Sequence, residues 1–362
     1  MNPNEIFVIY GNTPQSMVQE LLAHIQPERE IDRNSRIGIK PNLVVAKPAA
    51  GGATTSPELV AGVIEYLQAK GFQNICILEG SWVGAKTAEA FKACGYEEIS
   101  RRFGVPLIDL QKDSYREYDA GGMKLKICNR VTALDYLINI PVLKGHCQTK
   151  MTCALKNMKG CIPNSEKRRF HTLGLHRPIA CLNKAIRQDL IVVDGMTGDL
   201  NFEEGGHPVP MNRIMVAKDP VLVDSYVAGL MGFELPEVPY IQMAEALGVG
   251  SAALEKAVIR ELNAPQSIVE IGNFPKFHEF AKYIDEREAC SACYGSLVYA
   301  LERMGNRGEL DRLKAKLYIG QYYRGKCMDG IGIGSCTSGF QYCIGGCPPK
   351  AKDIIDYLEK HF

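Results

Sequence analysis

The residues with the clearest capacity for chemistry are four cysteines near the C-terminus. Cys290 and Cys293 are spaced C-x-x-C, Cys336 follows Gly334-Ser335, and Cys347 stands in Gly346-Cys347-Pro348-Pro349. A C-x-x-C pair can grip one metal centre from a single turn. The bare backbone of the two glycine-rich loops lets a bulky inorganic core approach. Four thiolates from three short segments suit four-coordinate zinc or a 4Fe-4S cluster. Cys327 and Cys343 are competing ligands, Cys343 lying between two of the preferred ones. The irregular spacing of Cys147, Cys153 and Cys161 predicts small buried apolar residues in preference to a second metal or redox site.

A second concentration of reactive side chains runs from Val142 to His171. It holds Lys144, His146, Lys150, Lys156, Asn157, Lys159, Lys167, Arg168, Arg169 and His171 among small residues. Cations and amide donors suit a carboxylate or phosphate, whereas the plainer reading is a solvated basic helix face. Lys40-Pro41-Asn42-Leu43 adds a further cation and amide upstream, and Asp194 and Asp224 supply acids downstream. Few acids neighbour the lysines in sequence, so an anion from outside the chain is expected to balance them.

These residues must be positioned by regular elements, and the first half alternates strand-like and helix-like runs. Ile6–Tyr10, Ile37–Lys40, Ile75–Leu78, Leu107–Leu110 and Leu137–Ile140 read as strands. Between them, Ser16–Ile25 places Val18, Leu21, Leu22 and Ile25 at helical spacing, and Ser56-Pro57 opens a helix with Val60, Val63, Ile64 and Leu67 on one face. Leu190–Asp194 and Ile214–Ala217 continue the strands, with Gly195–Pro210 as a glycine-rich loop and Val221–Leu230 as a helix. Ala264–Pro275 reads as a strand and linker. The expected fold class is α/β, a largely parallel or mixed sheet with helices on both faces, followed by a small cluster-binding segment. The expected division is a core over residues 1–275 and a cluster segment over 276–362, hinged at Phe274–His278. Lys40, Glu79 and Lys144 follow strands directly, and ligands in such sheets gather beyond the strands' carboxyl ends.

Composition narrows the function classes. The 362 residues are 46% hydrophobic and 23% charged with a net charge of +1, so no general attraction to nucleic acid or anionic membrane is expected. Thirteen cysteines in scattered positions do not read as a disulfide framework. No cleavable leader and no run of about twenty apolar residues is visible, and a reducing, cytoplasmic and oxygen-poor setting is expected. Ala50–Ala53 is glycine-rich but lacks the helix entry and Lys-Ser/Thr of a phosphate-binding loop.

Two family resemblances extend this reading. KPNL at Lys40–Leu43, TSPELVAGVIEYL at Thr55–Leu67, K-x-H at Lys144–His146, and T-x-x-x-K-N-x-x-G at Thr152–Gly160 resemble the domain of unknown function numbered 362. VDG at Val193–Gly195 and DPVLVDSYVAGLMG at Asp219–Gly232 carry the match across most of residues 35–235. Members are commonly paired with iron-sulfur modules, and the family implies no single reaction. At the other end, C-x-x-C at Cys290–Cys293, G-S-C-x-x-G and G-C-P-P before an amphipathic helix resemble the proximal-cluster site of nickel-iron hydrogenase small subunits. The related subunit of respiratory complex I is similar but carries its first two cysteines side by side. The hydrogenase resemblance implies a 4Fe-4S cluster on Cys290, Cys293, Cys336 and Cys347.

The expected function is an iron-sulfur oxidoreductase exchanging electrons with a small anionic molecule, with a ferredoxin-like protein as a candidate redox partner. His146, Lys156, His171 and Asp194 are the expected catalytic residues, and Lys40, Asn42, Lys144, Asn157 and Asp224 the expected substrate-binding residues. An electron-relay module without turnover, and a non-redox enzyme with a structural or Lewis-acid cluster, are the competing classes. Oligomeric state is left open.

Overall fold

The structure is a computed structural model that describes residues 1–265, 271, 280 and 282–361. Its main sheet has eight strands in the order Val258–Glu261, Glu5–Tyr10, Pro208–Ala217, Leu190–Asp199, Tyr136–Ile140, Ile37–Pro41, Ile75–Glu79 and Leu107–Asp109. The last five strands in that order are mutually parallel. Pro208–Ala217 runs antiparallel to both of its neighbours. The sheet is therefore mixed, with the parallel block the α/β rhythm predicts.

Alternation along the strands divides the interior in two. Ile6, Val8, Ile191, Val193 and Met215 face one apolar cluster, and Phe7, Ile9, Leu190, Val192 and Ile214 face the other. Period-two strand geometry sends successive side chains to opposite faces, so a strand apolar at every position must be covered twice. The helices Pro14–Ile25 and Pro57–Ala69 cover the second face through Val18, Leu21, Val60 and Ile64. Helices His176–Ala185, Pro220–Leu230 and Pro239–Ala246 cover the first. Each fully buried aliphatic side chain contributes about 1.5–3 kcal/mol. Ser56 caps its helix as expected, its Oγ accepting from the Leu59 amide at 3.4 Å.

One expectation changes. Half of Gly195–Pro210 is strand: Leu190–Asp199 and Pro208–Ala217 pair antiparallel out to Asp199↔Pro208, leaving residues 200–207 as the connection. Gly195 and Gly198 lie in the paired strand, where the register shifts between Gly195 and Thr197, and Gly205 and Gly206 take positive φ in the connection. Val258–Glu261 adds a strand that pairs parallel with Glu5–Tyr10 as an exposed edge, and most of the strand and linker expected over Ala264–Pro275 lies outside the described residues. The hinge proposed at Phe274–His278 lies outside the described residues.

The C-terminal portion is a folded unit of its own. Ile284–Glu286, Leu317–Ile319, Met328–Ile333 and Phe340–Ile344 form a four-stranded parallel sheet in sequential order. Helices Ser291–Asn306 and Ala351–His361 bury Leu297, Leu301, Ile354 and Leu358 with Ile319, Ile331 and Ile333. Parallel neighbours usually need a dozen or more connecting residues, yet residues 334–339 join the last two strands. The link folds tightly over Gly332, where a Cβ would come within 2.4 Å of the Thr337 Cβ.

This unit docks on the main sheet. Phe202, from the connection after Asp199, belongs to its apolar core and meets Tyr299 edge-on at 5.7 Å between ring centroids. The Gln148 amide donates to the Ala289 carbonyl at 2.9 Å and accepts from the Ser291 hydroxyl at 2.9 Å.

Candidate functional site

A cavity of about 220 Å3 opens between the carboxyl ends of the parallel strands and the C-terminal unit. The main sheet contributes Lys40 and Asn42 after one strand and Glu79, Gly80 and Trp82 after another. Lys156 and Asn157 come from the short helix Ala154–Asn157, and Lys167, Arg168 and His171 from the helix Asn164–Thr172. Lys159, Glu203 and Glu204 complete this side. The C-terminal unit contributes Cys290, Cys293, Cys336, Cys347, Gln321 and Arg324.

The core side neutralises most of its charge internally. Lys40 Nζ lies 2.8 Å from Glu79 Oε2 and also donates to the Pro41 carbonyl at 2.7 Å and Asn157 Oδ1 at 3.2 Å. Lys156 Nζ lies 2.6 Å from Glu203 Oε1 and donates to Thr152 Oγ1 at 3.2 Å. Lys167 Nζ donates to the carbonyls of Gly80 and Ser81, and burial pushes its pKa down to about 8. The motif spacing has a geometric cause. Thr152 ends the strand Lys150–Thr152 just before the short helix that carries Lys156, and a Cβ at Gly160 would lie 2.2 Å from Glu79 Oε1 and 2.6 Å from Lys40 Cε. Only glycine leaves room there for the Lys40–Glu79 pair.

Lys144 and His146, expected in the cleft, do not line the cavity. Lys144 is buried and ties loops together, donating to Ala53 O at 2.5 Å, Glu203 O at 2.8 Å and Asn42 Oδ1 at 3.2 Å. Loss of hydration lowers its pKa to about 7. His146 Nδ1 accepts from the amides of Gln148 and Thr149, both at 3.1 Å, which puts its proton on Nε2. That atom is 3.0 Å from Glu203 Oε2 but poorly aligned for a hydrogen bond. Burial, then the Lys156 charge, holds His146 down at about 4, so it is neutral near pH 7.

Asp194 and Asp224 are anchors outside the cavity. Asp194 accepts from the Ser56 amide at 2.7 Å and the Met196 amide at 3.0 Å, pinning the start of the helix Pro57–Ala69. Asp224 accepts from Ala154 and Leu155 amides at 2.7 and 3.2 Å, fixing the turn that carries Lys156. Burial raises their carboxyls to about 6 and about 7. Neither carboxylate is free for a substrate, because backbone donors hold both.

Of the predicted residues, Lys40, Asn42, Lys156, Asn157, His171 and the four cysteines meet in the cavity. The expectation of lysines awaiting an external counter-anion fails for Lys40 and Lys156. Their acids, Glu79 and Glu203, are 39 and 47 residues away in sequence and were not read as partners. Other lining residues also escaped assignment. Lys159 has only His171 Nε2 near its amine, at 3.4 Å, and Arg168 has no side-chain partner among the described residues. Glu204 is raised to about 7 by burial and then by Glu203. Glycine-flanked Glu203-Glu204 and the run Lys167-Arg168-Arg169 were visible signals for these positions.

The thiols are all free, as are the remaining nine of the thirteen cysteines. Cys290 caps the helix Ser291–Asn306 and Cys293 sits in its first turn, while Cys336 and Cys347 follow the last two strands. Burial and then the neighbouring Cys336 and Cys347 raise the Cys290 thiol, and burial and then Cys290 raise Cys293. Arg324 donates to Cys336 Sγ at 3.4 Å. Lys40, Lys156, Lys159, Lys167, Arg168 and Arg324 line the cavity against three carboxylates, and burial pushes the Lys159 amine down to about 7. No group of three or more His, Cys, Asp or Glu among the described residues is close enough for a single metal ion. Zinc holds its thiolates at about 2.3 Å. Cys153 and Cys161 are wholly buried in the main core, as expected of apolar fillers.

The family described as domain of unknown function (DUF362) matches residues 37–229, more than half of the chain. The chain belongs to the DUF362 family. The matched region carries the core side of the cavity and stops before the four cysteines. A thylakoid-associated protein of Synechocystis is 25% identical over 230 residues, covering 61% of this chain and 70% of that protein. A pantothenate synthetase of Neisseria meningitidis is 32% identical over 148 residues, covering 38% of this chain; the chain spans half the length of that relative. Among solved structures, the lactate racemase apoprotein of Thermoanaerobacterium thermosaccharolyticum aligns with 12% identity and a TM-score of 0.36. That alignment covers 52% of this chain and 50% of the racemase. No described helix is long and apolar enough to cross a membrane.

Proposed function

We propose that this DUF362 protein is an iron-sulfur oxidoreductase that exchanges electrons with a small anionic molecule in the cavity. The reading is carried by one observation: the four cysteines line the same cavity as Lys156, Lys159, Arg168 and His171. Cys290, Cys293, Cys336 and Cys347 would hold a 4Fe-4S cluster, which supplies one-electron transfer that side chains cannot perform. The residues fit it in three respects. The donor set is four free thiols, their mutual repulsion would be relieved by a cationic core, and Arg324 gives one sulfur a hydrogen bond.

The chain's own groups would then divide the remaining work. Lys159 and Arg168, which have no carboxylate partner among the described residues, would bind the anionic group of the ligand. Lys40–Glu79 and Lys156–Glu203 hold the wall rigid, and Asp224 fixes the turn beneath Lys156. Glu204 can take up or release a proton near neutral pH at its carboxyl. Trp82 and the glycine-rich loops restrict water at the rim.

Anaerobic purification followed by iron and acid-labile sulfide analysis tests the reading. About four irons and four sulfides per chain are expected, with visible absorption that bleaches on reduction. Stoichiometric zinc without sulfide would sink it.

A further inference from the structure

Arg324 occupies a position shared by the two halves of the site. It is exposed, lines the cavity and donates one N–H to Cys336 Sγ at 3.4 Å. A guanidinium carries five N–H donors in a rigid fork, and no other acceptor holds this one among the described residues. The fork matches the paired oxygens of a carboxylate or phosphate, which a lysine cannot reproduce. An oxyanion entering the cavity therefore meets a guanidinium already engaged with a cysteine sulfur.

We infer that Arg324 couples occupancy of the cavity to the reduction potential of the centre held at Cys336. The inference rests on the iron-sulfur reading above and adds to it a linkage between ligand and electron. Hydrogen bonds to the sulfurs raise a cluster's potential by stabilising its more negative, reduced state. An oxyanion that draws the fork away weakens that bond and adds negative charge nearby, so it stabilises the oxidised state. Linkage is reciprocal: adding one electron to the centre must weaken the anion by the same factor. No covalent bond forms or breaks, since only the electron and the N–H···S contact change. The substrate would thus bind best before the centre is reduced and its product anion would be released on reduction.

The test uses the anaerobically isolated full chain, with inorganic phosphate and malonate as phosphate and carboxylate probes. Midpoint potentials are measured by mediated titration, read by absorbance and electron paramagnetic resonance, with and without each probe. At least one probe should bind about tenfold more weakly to the reduced protein, which lowers the midpoint by about 59 mV for one electron. In Arg324→Gln the midpoint without probe should already be lower, and the shift on adding probe should fall to less than half. Iron content and melting temperature should match the wild type, because the side chain is exposed. A cluster whose midpoint neither probe moves, or an Arg324→Gln protein with the full shift, overturns the coupling alone. A protein without iron and sulfide removes both the coupling and the reading beneath it.

Discussion

Lys40 and Lys156, on the core side of the cavity, each reach a carboxylate within the chain, at 2.8 and 2.6 Å. Cys290, Cys293, Cys336 and Cys347, from the C-terminal unit, share a single arginine donor among the described residues. Both groups looked equally reactive as residue types. Internal pairing separates them: a buried cation with its own acid is part of the scaffold, whereas the thiols have no acid or second cation hydrogen-bonded to them among the described residues, and on the reading proposed above a cluster would occupy them. Between these limits, Lys159, Arg168 and Arg324 line the same space with no carboxylate partner among the described residues, and they, not Lys144 or His146, face a ligand there.

The largest effect that could break this comparison is on the cysteines. Serine at Cys290, Cys293, Cys336 or Cys347 should abolish bound iron and sulfide, while Cys327→Ser and Cys343→Ser should retain both. Retention of full iron by any of the first four variants would remove that position from the ligand set. Next in size is Lys40→Met, which strands Glu79 in a site where both side chains are almost wholly enclosed. Stability in urea should drop by about 3–5 kcal/mol. The double variant Lys40→Met with Glu79→Gln should recover part of the loss, and no recovery would mean that Lys40 acts through packing alone.

Lys156→Met sharpens the contrast, because Lys156 both lines the cavity and pairs with Glu203. Stability should fall by about 1–3 kcal/mol as Glu203 loses its charged partner. A functional role confined to ligand binding would instead leave the melting temperature unchanged. A separate expected effect is the pH dependence due to Asp224. Its folded carboxyl lies at about 7 against a reference of 3.8, so folding favours the protonated form. The stability it contributes is complete below the unfolded value and is lost as pH rises from about 4 through 7. Asp224→Asn should flatten that segment of the stability profile. An unchanged profile would mean that the buried carboxylate is stabilised as an anion by the Ala154 and Leu155 amides.

Local patterns made much of the frame legible. Val18, Leu21, Leu22 and Ile25 marked a helix because one face must be apolar, and continuous apolar runs such as Ile37–Ile39 marked strands covered on both sides. The parallel strands Met328–Ile333 and Phe340–Ile344 escaped, because their short glycine-containing runs lack the usual crossover between them. The cysteines were legible because C-x-x-C spacing and adjacent glycines are local constraints. Trp82 and Arg324 were not, since nothing in their own neighbourhoods announces the cavity they share.

The sequence by itself determined the α/β class, the DUF362 motifs and the C-x-x-C pair, since each follows from spacing within one element or turn. Tertiary structure decided which charges are spent. Glu79 lies 39 residues from Lys40, and Glu203 lies 47 from Lys156, yet the sheet sets each acid against its lysine. It also decided that Asp194 and Asp224 face backbone amides and that Arg324 reaches Cys336 from another loop. Electrostatic pairing depends on distance in space and on lost hydration, and a linear pattern encodes neither until the chain has folded.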